Sequence, residues 1–168
     1  MIKNNYQNIF LSLIVISGVI LRIYNINFDD LWYDEIISFW VANPEHPIVD
    51  FLKIHNNIEI TTPTFNFILK VFFELFGYDV NLGRYLPAIF SILTIITTFY
   101  LSKILIGNFF LLPIFLISFN IFLIKYSQEL RVYSVLIFFA SLSLIFFLKL
   151  LNEKIKKIDV IYFLITLL

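Results

Sequence analysis

Long apolar runs constrain this chain more than any other feature. Residues 9–24, 85–101, 109–124 and 132–148 each form a nearly unbroken greasy stretch. Each approaches the ~17–25 residues that a helix needs to cross a bilayer. In lipid, a backbone can satisfy its own polar groups only as a helix or a closed barrel, and runs of this length select the helix. Mean hydropathy is +0.91 and only 14% of residues are charged, so a soluble fold of 168 residues would leave too much apolar surface in water. The chain is therefore predicted to be an all-α, polytopic membrane helix bundle.

The first run has a short start bearing Lys3, but "LRIYNINFDD" offers no small-residue cleavage site, so it reads as a retained membrane helix rather than a signal peptide. There are no cysteines, which excludes disulfide and thiol chemistry in this chain. A formal net charge of zero points to no class of partner. A further apolar run begins at 158–168, and the chain is expected to be the N-terminal part of a longer protein.

Between the first two runs lies the one substantial polar stretch, an outer loop over residues 25–84. Seven of the 12 acids (Asp29, Asp30, Asp34, Glu35, Glu45, Asp50 and Glu59) fall there, with both tryptophans and both histidines. Within "TPTFNFILKVFFELFG", Thr62 is placed to cap a helix, Pro63 to begin it and Gly77 to end it. Asn66, Lys70 and Glu74 recur every four residues and draw a polar stripe on that helix, the pattern of a helix lying flat in a membrane interface.

Charge placement agrees with a flat helix. It leaves Lys3, Lys103, Lys149, Lys154, Lys156 and Lys157 together on the inner face, as the positive-inside tendency favours; a spanning helix would leave fewer basic residues inside. The prediction is a multi-pass cell-membrane protein with a cytoplasmic N-terminus. The outer loop and the 125–131 turn then share the extracytoplasmic face.

Two motifs would meet on that face. In "DDLWYDEIISFWVANP", Asp30 is placed to cap a helix that Asn43 and Pro44 end, a second interfacial element with Asp34 and Ser38 on its polar side. The adjacent carboxylates Asp34 and Glu35 read either as reactive groups or as solvated acids favouring a helix N-terminus. In "KYSQELRVYS", Glu129 and Arg131 lie between Tyr126 and Tyr133. That reads either as headgroup anchoring or as a phosphate-binding arginine. Arg84 likewise reads as a snorkelling anchor or a ligand. His46 and His55 lack metal-ligand spacing and read as loop histidines. No glycine-rich phosphate loop or basic nucleic-acid face is present in the sequence.

The order of these motifs resembles the GT-C membrane glycosyltransferases of the protein O-mannosyltransferase and aminoarabinose transferase superfamily, closest to its RgtA/B/C/D-like subgroup. The resemblance is carried by one span, then "WYDE", a "TP" helix, "GRYLPAIFSILTIITTFYLSKILIG" and "YSQELRVYS". Nearly the whole chain is covered, as the family's N-terminal module. Where the family often shows a doubled proline and then a tyrosine, this chain has "TTPTFNF".

The resemblance implies transfer of a sugar, with inversion, from a polyprenyl-phosphate donor to a protein, lipid or glycan hydroxyl outside the membrane. It implies Asp34 as the general base, with Glu35 orienting the acceptor or a possible divalent cation, and no cofactor that is firmly required. Arg131 and Arg84 would receive the leaving phosphate, and Glu129 would orient an arginine or the sugar. Tyr33, Thr62 and Pro63 would complete the substrate contacts. The alternative is a non-catalytic membrane subunit or an inactive fragment of the same fold.

Overall fold

The computed structural model describes residues 2–59, 61–151 and 157–166. It is all-helical, 80% helix, with no strand among the described residues. In chain order the helices are α1 (Ile2–Ile23), α2 (Tyr33–Val41), α3 (Ile48–Ile58), α4 (Thr64–Phe76) and α5 (Val80–Gly83). They are followed by α6 (Tyr85–Ile106), α7 (Leu111–Phe119), α8 (Ile121–Ser127), α9 (Tyr133–Leu150) and α10 (Lys157–Thr166). Lys154 and Lys156, part of the expected inner-face cluster, lie outside the described residues.

Three segments are long and apolar enough to cross a membrane: Tyr6–Ile23, Val80–Phe109 and Tyr133–Leu150. That is compatible with a membrane protein. The expected span over 109–124 is instead two short helices. Asn120 breaks the run with extended backbone, and its side-chain oxygen accepts the Leu123 N–H at 3.0 Å, capping α8. At 1.5 Å rise per residue, neither piece could cross a ~30 Å hydrocarbon layer alone.

The break leaves the last carbonyls of α7 without helical partners, and Arg22 satisfies two of them. This fully buried arginine donates to Ile117 O at 2.9 Å and Ser118 O at 3.1 Å. It also donates to Gly18 O at 2.9 Å in its own helix and to Ser91 Oγ at 2.7 Å on α6. Its charge therefore sits against the C-terminal, negative ends of both α1 and α7. Close packing accompanies the polar contacts: a Cβ on Gly18 would lie 3.0 Å from both Ile95 and Ser118, so glycine lets α1 approach α6 and α7. Ile14, Ile95, Phe110 and Ile114 fill the core there. The Thr97 and Ser141 hydroxyls, 2.6 Å apart, join α6 to α9.

Gln128, just beyond α8, donates to Leu21 O at 3.1 Å and Tyr24 O at 3.0 Å at the C-terminal end of α1. The end of α1, the end of α8 and the starts of α6 and α9 thus meet at one end of the molecule, where the polar 25–84 stretch packs. There α4 begins at Thr64 with Pro63 at its cap, one residue later than the sequence predicts. The expected polar stripe on α4 is present, but it faces protein. Asn66 and Lys70 are buried; Asn66 meets His55, and Lys70 donates to Asn43 O at 3.1 Å and Pro44 O at 2.8 Å. Glu74 alone of the three is exposed, with about half of its side chain open.

Candidate functional site

The centre of the polar end is a buried ion pair. Glu35 and Arg84 have side chains 1% and 5% exposed, and they meet side-on: Arg84 Nε reaches Glu35 Oε1 at 3.0 Å and Nη2 reaches Oε2 at 2.8 Å. The backbone completes the pair. Glu35 Oε1 accepts the Leu130 N–H at 2.7 Å, and Oε2 accepts the Trp32 N–H at 3.2 Å. Arg84 donates further to the carbonyls of Ile26 (3.3 Å), Asp29 (2.8 Å) and Asp30 (3.4 Å). All four carboxylate lone-pair positions and all five guanidinium donors are thereby engaged, the condition under which a buried pair recovers its desolvation cost.

Local sequence explains why the pair forms. Helix α2 starts at Tyr33 rather than being capped by Asp30: Trp32 is its N-cap, and Glu35, three residues on, reaches back to the Trp32 N–H. Arg84 follows Gly83, where a Cβ would lie 2.8 Å from the Phe73 ring and 3.1 Å from Leu130. Beneath the pair, Ala42, Phe65, Leu69, Phe73, Leu86, Leu130 and Val135 form an apolar cluster. Leu130 therefore joins the core by its side chain and the ion pair by its N–H.

Beside the pair opens a polar cleft of about 250 Å³, walled by Asp34, Glu35, Glu129, Arg131, Tyr126 and Tyr133, with Trp32 and Lys125 also on its lining. Asp34 is at its mouth, its side chain 62% exposed, with Oδ2 3.9 Å from Arg131 Nη2. Arg131 Nη1 is anchored on Glu59 Oε1 at 2.7 Å, Ser38 Oγ at 3.0 Å and the Asp34 carbonyl at 3.2 Å. Arg131 Nε is enclosed and has no hydrogen-bond partner among the described residues. The Tyr126 and Tyr133 rings pack 4.8 Å apart, and Lys125 lies over the Trp32 ring at 5.1 Å.

Two groups here titrate away from their ordinary ranges. Burial pushes the Glu129 carboxyl up; Glu35 adds to this, while Lys125, Arg84 and Arg131 oppose it. Burial works against the charge on Arg131, but the Glu59 hydrogen bond and the nearby charges of Glu59 and Asp34 outweigh it and hold the guanidinium above its usual value.

Asp34, Glu35, Glu129 and Arg131, expected to meet, do line one cleft. Arg84 is instead enclosed in the pair with Glu35. Tyr33 is exposed at the start of α2. Thr62 lies on a separate apolar groove, and Pro63 caps α4. With its oxygens engaged, Glu35 has none to offer a divalent cation, so the Asp34–Glu35 pair does not fit a two-carboxylate metal site. Among the described residues no group of three or more acidic, histidine or cysteine side chains could hold a metal.

Sequence reasoning missed Glu59 and Ser38, whose partners lie far along the chain. It also missed the role of His55, which is buried and accepts from Asn66 while donating to Thr61 O at 2.8 Å. The spacing of "YDEIIS" does place Ser38 one turn beyond Asp34, but nothing in it pairs Ser38 with Arg131. No family model, curated protein or solved structure matches the chain.

Two outcomes are expected. Replacing Glu35 by Ala leaves the Arg84 charge buried without its carboxylate and lowers the unfolding free energy by about 3–5 kcal/mol, whereas combining Glu35→Leu with Arg84→Met recovers most of the loss. Denaturant unfolding in micelles measures both, and a near-zero effect of Glu35→Ala contradicts the pairing.

The second concerns pH. The Glu129 carboxyl titrates higher in the folded state than unfolded, so its contribution to stability is present below the unfolded value and is lost as pH rises through the folded one. Glu129→Gln therefore stabilises the protein at neutral pH and leaves stability below about pH 4 nearly unchanged. Equal effects at both pH values would refute this.

Proposed function

We propose that the cleft is the active site of a membrane glycosyltransferase that takes a sugar from a polyprenyl-phosphate donor and gives it to an acceptor hydroxyl at the extracytoplasmic face. The GT-C likeness of "WYDE" and "YSQELRVYS" supports this reading. The observation that carries it is the pairing of Asp34, an accessible carboxylate, with Arg131, an anchored guanidinium, across 3.9 Å in one cleft.

The chemistry divides between them. Asp34 takes the proton of the acceptor hydroxyl as that oxygen bonds to the anomeric carbon. The bond from that carbon to the phosphate oxygen breaks on the opposite face, so the configuration inverts. The electron pair leaves with the polyprenyl phosphate, whose charge Arg131 receives through its Nη2. Because Nη1 is tied to Glu59 and Ser38 and Nε is enclosed, Nη2 is the part of the fork left for a ligand. Glu35 and Arg84 act as positioning residues: their pair fixes the start of α2, and with it Asp34, against the 128–131 turn.

An apolar groove of about 860 Å³ supports a lipid-borne donor. It runs along α9 past Phe139 and Phe147 to α10, and its upper end is lined by Thr62, Thr64 and Val132, the residue after Arg131. A prenyl chain lying there would place its phosphate near the cleft.

Asp34→Asn removes the base while preserving the side-chain volume. In membranes supplied with a polyprenyl-phosphate sugar, it lowers transfer by about 100-fold or more, with membrane insertion unchanged. Transfer at the wild-type rate by that variant would sink the proposal.

A further inference from the structure

Arg131 is useful to an anionic ligand only if its fork is aimed, and an arginine on a turn has several free torsions with which to aim elsewhere. The constraint comes from an element remote in sequence. Glu59, the residue at the C-terminal cap of α3, has a side chain only 10% exposed and holds Arg131 Nη1 at 2.7 Å. Ser38 on α2 takes the same nitrogen at 3.0 Å. The guanidinium is planar, so fixing Nη1 between these acceptors fixes the direction of Nε and Nη2 as well.

Glu59 is itself braced. Its N–H donates to His55 O at 2.8 Å. The buried His55 ring donates from Nε2 to Thr61 O at 2.8 Å and accepts at Nδ1 from Asn66 Nδ2 at 3.1 Å. One imidazole therefore ties the end of α3 to the start of α4, on both sides of the acid that anchors Arg131.

We propose that Glu59 is a positioning residue of the cleft, which turns Nη2 of Arg131 toward a bound phosphate monoester while its charge moderates the grip on that phosphate. The second half rests on the function proposed above; the first stands without it. The carboxylate does two separable things. As an acceptor it orients Arg131. As an anion near the ligand it repels the phosphate, which keeps a leaving phosphate from being held too tightly. Glu59→Gln retains the acceptor oxygen and removes the charge, whereas Glu59→Ala removes both.

The test uses the whole chain in nanodiscs, with farnesyl phosphate as the probe, and reads two quantities. The first is rotation about the Arg131 Cζ–N bonds, seen as resolved or averaged Nη signals by NMR. The wild type and Glu59→Gln are expected to give separate Nη1 and Nη2 signals, and Glu59→Ala a single averaged one. Averaged signals in the wild type, or separate ones in Glu59→Ala, overturn the positioning role.

The second quantity is affinity for farnesyl phosphate. Glu59→Gln is expected to bind several-fold more tightly than wild type, and Glu59→Ala several-fold more weakly. If both variants tighten equally, Glu59 is only a charge and the positioning proposal fails. If the wild type keeps separate Nη signals but farnesyl phosphate leaves them unshifted, Glu59 still positions Arg131, and the phosphate-binding reading and the function built on it fall.

Discussion

The polar end of this molecule depends on one requirement: a carboxylate and a guanidinium removed from water must find every hydrogen bond they lose. Glu35 and Arg84 meet it using groups from four places in the chain: the segment after α1, the start of α2, the start of α6 and the turn before α9. Losing any one of these groups leaves a hydrogen bond unmade, and an incompletely paired ion in such surroundings is costly. The pair therefore fixes how the long polar stretch sits on the apolar helices. Asp34, next to Glu35, and Arg131, next to Leu130, are brought to one cleft as a consequence.

A similar requirement governs the apolar part. Breaking a greasy run at Asn120 exposes helix-end carbonyls where water is scarce, and each needs a donor. Arg22 supplies donors to two of them and to α6 at once, while Gln128 does the same for carbonyls ending α1. Among the described residues no carboxylate pairs with this buried arginine; it rests against two helix C-termini, whose partial negative charge is the compensation. The break shortens α7 and lets α8 carry the 128–131 turn to the cleft.

Much of this was legible in residue order. Long runs of Ile, Leu and Phe favour helices in lipid, so the helical class and the three long apolar helices that cover the runs starting near residues 9, 85 and 132 could be read directly. Motif order also placed Asp34, Glu129 and Arg131 at a common end. The break at Asn120 was not legible, because a single Asn in an apolar run becomes a cap only when another helix supplies donors to the freed carbonyls. The stripe of Asn66, Lys70 and Glu74 was read correctly as a face, but its neighbour was not: periodicity gives the direction of a polar side chain and not whether water or a carbonyl awaits it. For the same reason Glu35 looked like a reactive partner of Asp34, when its bonds to Arg84 and Leu130 span 49 and 95 residues.

The Glu35–Arg84 pair locks the 128–131 turn to the outer segment through the Leu130 N–H. Amide hydrogen exchange at Leu130 tests it most directly. A turn residue with a free amide exchanges quickly, whereas one bonded to a buried carboxylate opens only with the surrounding structure. Protection of Leu130 comparable to that in the middle of α6 is the predicted result. Exchange as fast as at an exposed loop amide would contradict the account, because the cleft would then have no fixed floor.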